Sequence, residues 1–172
     1  MDFAIQVSNP SSVGGIEDDE SIGEALETIF SLNTESAFVI WNHLYVPLNY
    51  KCDVSLILED VVFLVETVSA SQNGNTTIHW PSSTFRARWE VSWKEDNVVV
   101  EARWESVIGD IESLLNQHPS ISVPKSAFLS EWGELIKTCL NHLRIRNTSS
   151  SLDLTRLESV LSLVSERGTL YR

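Results

Sequence analysis

The 172 residues carry 24 acidic and 12 basic side chains, a formal net charge of −12, and 42 % of them are apolar, including six Trp. This length and composition predict one domain with a sizeable hydrophobic core. The negative charge argues against nucleic acid or an anionic membrane as the partner. It indicates either a cationic partner or no more than a well-solvated surface.

The sequence also suggests where the protein works. No apolar run approaches the roughly 20 residues of a membrane span, because carboxylates interrupt the most apolar stretch, 54–68. The N-terminus lacks the basic segment and long apolar core of a secretory signal. Cys52 and Cys139 are too few for a disulfide scaffold, and we expect reduced thiols in or near the core. These features predict a cytoplasmic protein.

Residues 1–35 predict a strand followed by an acidic helix. Alternation over 3–7 predicts the strand, and 11–15 are expected to form a flexible link. A helix follows, because apolar residues recur at helical spacing with acids on the opposite side. The apolar positions of this helix are Ile22, Leu26, Ile29 and Phe30.

Charge is concentrated in this first segment, which has eight acids and no base before Lys51. Six of the acids lie on or just before the predicted helix, and we call them the acidic head. They are Glu17, Asp18, Asp19, Glu20, Glu24 and Glu27. Acids that precede a helix also suit the positive end of its dipole, so part of this cluster has a local structural reason.

The C-terminal tail has the opposite sign, with five arginines from Arg144 onward against three acids. Pairing of this tail with the acidic head inside the molecule therefore competes with binding of a partner. The arginines are Arg144, Arg146, Arg156, Arg167 and Arg172.

Residues 37–145 are predicted to form a mainly antiparallel sheet of about five to six strands packed against helices. Two strands within 37–50 would turn at Asn42-His43, and Pro47 indicates that the second strand lies at an edge or ends there. Asp53 is the predicted N-cap of a central buried helix. The apolar stripe of that helix is Val54, Ile57, Leu58, Val61, Leu64, Val65 and Val68.

After a predicted turn at 72–75 and a strand at 76–80, strict alternation predicts a hairpin over 85–105 with its turn at Glu95-Asp96. The register pairs Trp93 with Val98, Val91 with Val100, Trp89 with Ala102, Arg86 with Glu105, Arg88 with Arg103, and Glu90 with Glu101. The four Trp of this region favour a core between sheet and helices over a stacking platform for sugars or bases.

The remaining elements complete a single α+β domain over 1–172. A short helix at 110–116 and a strand at 121–123 precede a long amphipathic helix that Ser126 would cap. A C-terminal helix is expected over 152–167.

Motifs for catalysis are missing, since the chain has no P-loop, no G-x-G-x-x-G, no nucleophile elbow and no H-E-x-x-H. The four histidines lack metal-ligand spacing. Cys139 and His142 lie three apart on one helix, but Cys139 belongs to its apolar stripe, where burial restricts access to a thiol. We therefore expect no catalysis, no metal and no cofactor. An enzyme whose active site has no recognised motif is an alternative interpretation.

A series of aromatic motifs over 37–145 resembles small bacterial immunity proteins of polymorphic-toxin and contact-dependent growth inhibition systems. The series is Trp41-Asn42, a strand leading to Pro47, the Asp53 helix, W-x-x-x-W at Trp89 and Trp93, A-x-W at Ala102–Trp104, and F-L-x-E-W at Phe128–Trp132. The resemblance implies a cytoplasmic protein that binds the toxic domain of a cognate effector, frequently a nuclease, and blocks its active site or substrate groove. It assigns no contact residue.

The charge pattern agrees with that expectation. A nuclease presents a basic groove to phosphates, so an acidic protein that imitates this charge gains steered association. Candidate contacts are the acidic head together with Glu95 and Asp96 at the hairpin tip, with a merely solvated surface as the competing interpretation. The alternative function is a non-catalytic adaptor or scaffold domain unrelated to toxins, which predicts an exposed apolar patch instead of an acidic face.

Overall fold

A computed structural model describes residues 2–147 and 152–169, with the backbone alone for the last three. The elements in chain order are β1 (Phe3–Gln6), α1 (Ile22–Ile29), β2 (Ala37–Trp41), β3 (Leu44–Leu48), a π-helical turn (Tyr50–Val54), α2 (Ser55–Ala70), β4 (Asn73–Ser82), β5 (Phe85–Lys94), β6 (Asn97–Val107), α3 (Glu112–Leu115), β7 (Ser120–Pro124), α4 (Lys125–Arg146) and α5 (Thr155–Thr169). The α+β class is confirmed.

Within the described residues, seven strands form two antiparallel sheets instead of one sheet of five to six strands. One sheet has the order β1-β2-β3 and the other the order β4-β5-β6-β7. Pro47 lies in β3, an edge strand, where its missing N–H is tolerated. The edge is one of the two positions that the sequence left open for it. The alternation of apolar residues defined each hairpin, but it could not decide which hairpins share a ladder.

The two predicted hairpin turns are confirmed. Asn42 and His43 both have positive φ, 46° and 68°, as a two-residue hairpin turn requires. The β5–β6 pairing follows the predicted register from Lys94 to Arg88. It then breaks at a bulge, so that Arg86 faces Ser106 and not Glu105, which is the extra residue of β6.

β4 begins at Asn73, inside the segment predicted as a turn. Gly74 lies opposite Trp93 on β5, and the Trp93 ring occupies the space that a Cβ at Gly74 would need. Gly74 therefore permits close approach of an aromatic ring to the strand and does not reverse the chain.

Asp53 does not cap α2. The Asn49 side chain caps the π-helical turn that precedes α2, accepting hydrogen bonds from two backbone amides at 3.0 Å. Asp53 is fully buried and accepts hydrogen bonds from the backbone amide of Asn49 at 2.7 Å and from the hydroxyls of Ser82 and Thr84. The carboxylate thus connects the start of α2 to the β4–β5 turn.

The other helices differ from prediction mainly at their ends. α4 begins at Lys125 without a side-chain cap, because β7 leads directly into it through Pro124, so Ser126 lies inside its first turn. The helices predicted at 110–116 and 152–167 become α3 and α5. The predicted polar link at 147–151 lies mostly outside the described residues. No helix of the described part has both the length and the apolar content to cross a bilayer.

The core is built around the indole of Trp89. Its ring centroid lies 5.1 Å from that of Trp41, 5.2 Å from Trp80, 5.7 Å from Trp104 and 6.0 Å from Trp132. These five rings are almost completely buried and come from both sheets and from α4. Trp93 is buried as well, so the interpretation of the four tryptophans of 76–105 as core residues is confirmed.

Replacing Trp89 by alanine should reduce the free energy of unfolding by about 3–5 kcal/mol, since it removes the ring that both sheets contact. Urea denaturation followed by far-UV circular dichroism measures this change. Arg86→Ala, on the exposed face of the same strand, should stay within about 0.5 kcal/mol of wild type. A loss below about 1 kcal/mol for Trp89→Ala would show that the cluster does not organise the core.

Candidate partner-binding surface

A capping box fixes the start of α1 and so positions the acidic head. The Ser21 hydroxyl accepts a hydrogen bond from the Glu24 amide at 3.2 Å, and the Glu24 carboxylate accepts from the Ser21 amide at 3.3 Å. Ala25, Leu26 and Ile29 are buried on the opposite side. The helix therefore directs its acids toward solvent, although Glu24 also serves the cap.

Five of the six acids of the head line one open, polar depression, together with Thr28 and Lys51. These five are Asp18, Asp19, Glu20, Glu24 and Glu27. Asp19 accepts a hydrogen bond from the Thr28 hydroxyl at 2.7 Å, and the Lys51 ammonium donates to the backbone carbonyl of Glu27. The sixth acid, Glu17, is exposed just before this group. The fold thus gathers five of the six acids on one surface.

The three C-terminal arginines whose side chains the structure describes contact groups outside the acidic head. Arg144 contacts Glu158 at 2.7 Å, Arg156 contacts both carboxylate oxygens of Glu66 at 2.8 and 3.1 Å, and Arg146 donates to the carbonyls of Ser12 and Gly14. None of these three guanidinium groups pairs with a carboxylate of the head. The side chains of Arg167 and Arg172 lie outside the described residues.

The segment 11–15, predicted to be a flexible link, is held at several points. The Val13 amide donates to the Ile29 carbonyl at 2.8 Å, and the Ile16 amide donates to the Arg146 carbonyl at 3.1 Å. The Arg146 side chain holds the same segment through the carbonyls already named. Arg146 therefore anchors the segment leading to the head without neutralising its charge.

The hairpin tip stands apart from the acidic head. Gly23 of α1 lies against the backbone of Ser55 at the first turn of α2, whereas the Glu95 amide donates to the Gln72 carbonyl beyond the other end of α2. A helix of 16 residues is about 24 Å long. Glu95 and Asp96 are exposed, but the structure does not bring them together with the six acids of the head.

Two apolar residues of α2 are exposed, although the sequence did not identify them as candidate contacts. Leu56 is 55 % exposed and Phe63 is 46 % exposed. Glu59 and Asp60 lie between them on the same side of the helix, and burial together with the Glu59 carboxylate raises the pKa of Asp60. Their exposure could have been predicted, because neither Leu56 nor Phe63 falls on the predicted apolar stripe. All seven members of that stripe are buried.

The two cysteines and His142, which were considered for catalysis, differ in burial and in hydrogen bonding. Cys139 is buried, as predicted, and burial raises the pKa of its thiol. Cys52 is exposed, contrary to the prediction that it lies in or near the core. His142 Nδ1 lies 2.8 Å from the Ser12 hydroxyl, but Ser12 is buried and its oxygen also accepts from Arg146 Nε at 3.1 Å. No group of three or more potential metal ligands occurs in 2–147 or 152–169.

Comparisons with known proteins identify no relative. No protein-family model matches the chain, and no curated protein or solved structure shows significant similarity to it.

His142 should make stability depend on pH. Burial lowers the pKa of His142 below its usual value, and the Arg146 guanidinium lowers it further. The unfolded chain then binds this proton more readily than the folded one, so the free energy of unfolding falls as pH decreases below about 6.5. We expect His142→Gln to flatten this dependence in urea titrations between about pH 7.5 and 5.5.

The matched control is His79→Gln, because His79 is exposed on the outer face of β4. This variant should keep the pH dependence of the wild type. Identical slopes for His142→Gln and wild type would contradict the assignment.

Proposed function

We propose that the protein is an immunity protein that binds the toxin domain of a cognate bacterial effector, a nuclease, and occludes its active site or substrate groove. It acts in the cytoplasm and uses no cofactor. The observation that carries this proposal is the acidic head, in which five carboxylates and one ammonium line a single exposed depression. The resemblance of the aromatic motifs over 37–145 to immunity proteins supports the same partner.

The chemistry of a nuclease groove explains why such a surface would bind it. Lysine and arginine side chains in that groove are spaced to contact successive phosphates, and clustered carboxylates offer them an alternative anionic ligand. Glu17, Asp18, Glu20 and Glu27 are exposed at their side chains and are not engaged by Arg144, Arg146 or Arg156. Their field would also steer association over roughly one Debye length, about 8 Å at physiological salt.

The adaptor function has one observation in its favour. Leu56 and Phe63 expose apolar surface on α2, as a docking domain without an acidic interface would. The two functions differ in what they require, because only the immunity function requires the charges of the head.

Neutralising part of the head tests the immunity proposal directly. The variant Glu17→Gln/Asp18→Asn/Asp19→Asn/Glu20→Gln should lose at least about tenfold in affinity for the toxin domain encoded beside its gene, mainly through slower association. Co-expression should show the same effect as reduced rescue of bacterial growth. Surface plasmon resonance at several salt concentrations measures the rate constants.

The control removes the same number of charges from another surface. Glu90→Gln/Glu101→Gln/Glu105→Gln/Asp110→Asn changes exposed acids on β5, on β6 and in the turn after β6, and should bind and rescue like wild type. Unchanged binding and rescue by the head variant would show that the head is not the interface. A neighbouring gene that encodes no toxin would contradict the proposed partner.

A further inference from the structure

One surface patch on α2, which we call the α2 patch, consists of Leu56, Glu59, Asp60 and Phe63. Asp60 is half-buried and the other three side chains are exposed. Glu59, Asp60 and Phe63 follow Leu56 by three, four and seven residues, so the four side chains lie on one side of the helix over two successive turns. Leu56 and Phe63 retain about half of their accessible surface, while the opposite side of the helix is buried in the core. Neighbouring large apolar side chains that stay exposed within a polar surround are a feature of interaction surfaces.

The α2 patch is continuous with the acidic head. Glu20 lines the depression of the head and also lines a second cleft of about 240 Å³, whose other wall includes Glu59 of α2. Glu59 is three residues after Leu56 and four residues before Phe63, so it adjoins both. A path of exposed carboxylates therefore leads from Glu27 through Glu20 to the apolar pair.

A basic side chain on the border of this surface is already engaged. Arg156 of α5 lines the same second cleft, but its guanidinium contacts both carboxylate oxygens of Glu66. The bidentate geometry fixes the guanidinium plane on Glu66, which leaves the side of α2 that carries Leu56 and Phe63 uncovered.

We propose that the α2 patch is the apolar centre of the same interface whose charged rim is the acidic head. Its occupant is a basic polypeptide surface that presents large apolar side chains among its lysines and arginines. This inference rests on the proposed function, since it assumes that the head binds a basic partner. It adds the source of specificity and slow dissociation, because desolvated apolar contacts at the centre of an interface dominate its affinity, whereas rim charges mainly accelerate association.

The acidic surface expected of an immunity protein and the apolar patch expected of an adaptor lie next to each other. An adaptor was expected to show an apolar patch instead of an acidic face, but the two features border each other through Glu20 and Glu59. One amphipathic basic partner satisfies both, whereas a purely apolar partner would leave Glu59 and Asp60 desolvated without counter-charges.

Two helical peptides of about 18 residues, with identical lysine positions, test the inference by fluorescence anisotropy at about 0.15 M salt. One carries leucines along one face and the other carries alanines there, since alanine preserves helix propensity while removing the large apolar side chains. Wild-type protein should bind the leucine peptide at least about tenfold more tightly than the alanine peptide.

In Leu56→Ser/Phe63→Ser, this preference should disappear while binding of the alanine peptide is retained. The matched variant Ile108→Ser/Leu114→Ser changes two residues of similar exposure, 44 % and 47 %, in the β6–α3 loop and in α3, and should keep the preference. Circular dichroism and thermal melting verify that each variant is folded.

The possible failures are distinguishable. Equal affinity of wild type for the two peptides, or a preference that survives in Leu56→Ser/Phe63→Ser, would overturn the role of the α2 patch and leave the acidic head intact as an interface. No binding of either peptide to wild type would overturn both the inference and the proposed function.

Discussion

Packing around the indole of Trp89 is the interaction on which the other features of the fold depend. Trp89 lies on the inner face of the four-stranded sheet and contacts Trp41 of the other sheet and Trp132 of α4. Four indole N–H groups of this cluster have no hydrogen-bond acceptor among the described residues, those of Trp80, Trp89, Trp104 and Trp132. These four indoles therefore hold the two sheets together through apolar and aromatic contacts. At the edge of the cluster, the Asn42 side-chain amide also donates a hydrogen bond from the β2–β3 turn to the Ser120 carbonyl of β7 at 3.1 Å.

This core determines what the surface can present. α2 is buried along its apolar stripe, so only the opposite side of α2, with Leu56 and Phe63, faces outward. Two sets of polar contacts then position the start of α2 and the segment that leads to α1. Asp53 fixes the start of α2 to the β4–β5 turn, and Arg146 holds the segment that leads to α1. Because Arg146 contacts carbonyl groups, the head is fixed in place without losing its negative charge.

Local patterns predicted the local structure well. Alternation of apolar residues together with a two-residue turn at Glu95-Asp96 predicted the β5–β6 register, because a shift by one residue would place inward-facing side chains opposite outward-facing ones. The bulge at Arg86 could not be predicted, since nothing in the period-two pattern marks one extra residue in β6. Asp53 precedes an apolar stripe as an N-cap would, and only the arrival of Ser82 and Thr84 from distant sequence shows its different role.

The candidate surface was partly predictable for the same reason. The six acids of the head are consecutive or spaced along one helix, so their clustering follows from local sequence. The destinations of Arg144, Arg146 and Arg156 depend on how α4 and α5 pack, which no local pattern contains. The separation of the hairpin tip from the head likewise follows only from the placement of α2.

NMR chemical-shift mapping would show whether the acidic head and the α2 patch bind a basic amphipathic partner as one continuous surface. The isotope-labelled protein would be titrated with the leucine-bearing lysine peptide. We expect the largest shift changes on residues 17–28 and 56–63. Largest changes on the outer face of the four-stranded sheet, or at Glu95 and Asp96, would contradict this expectation.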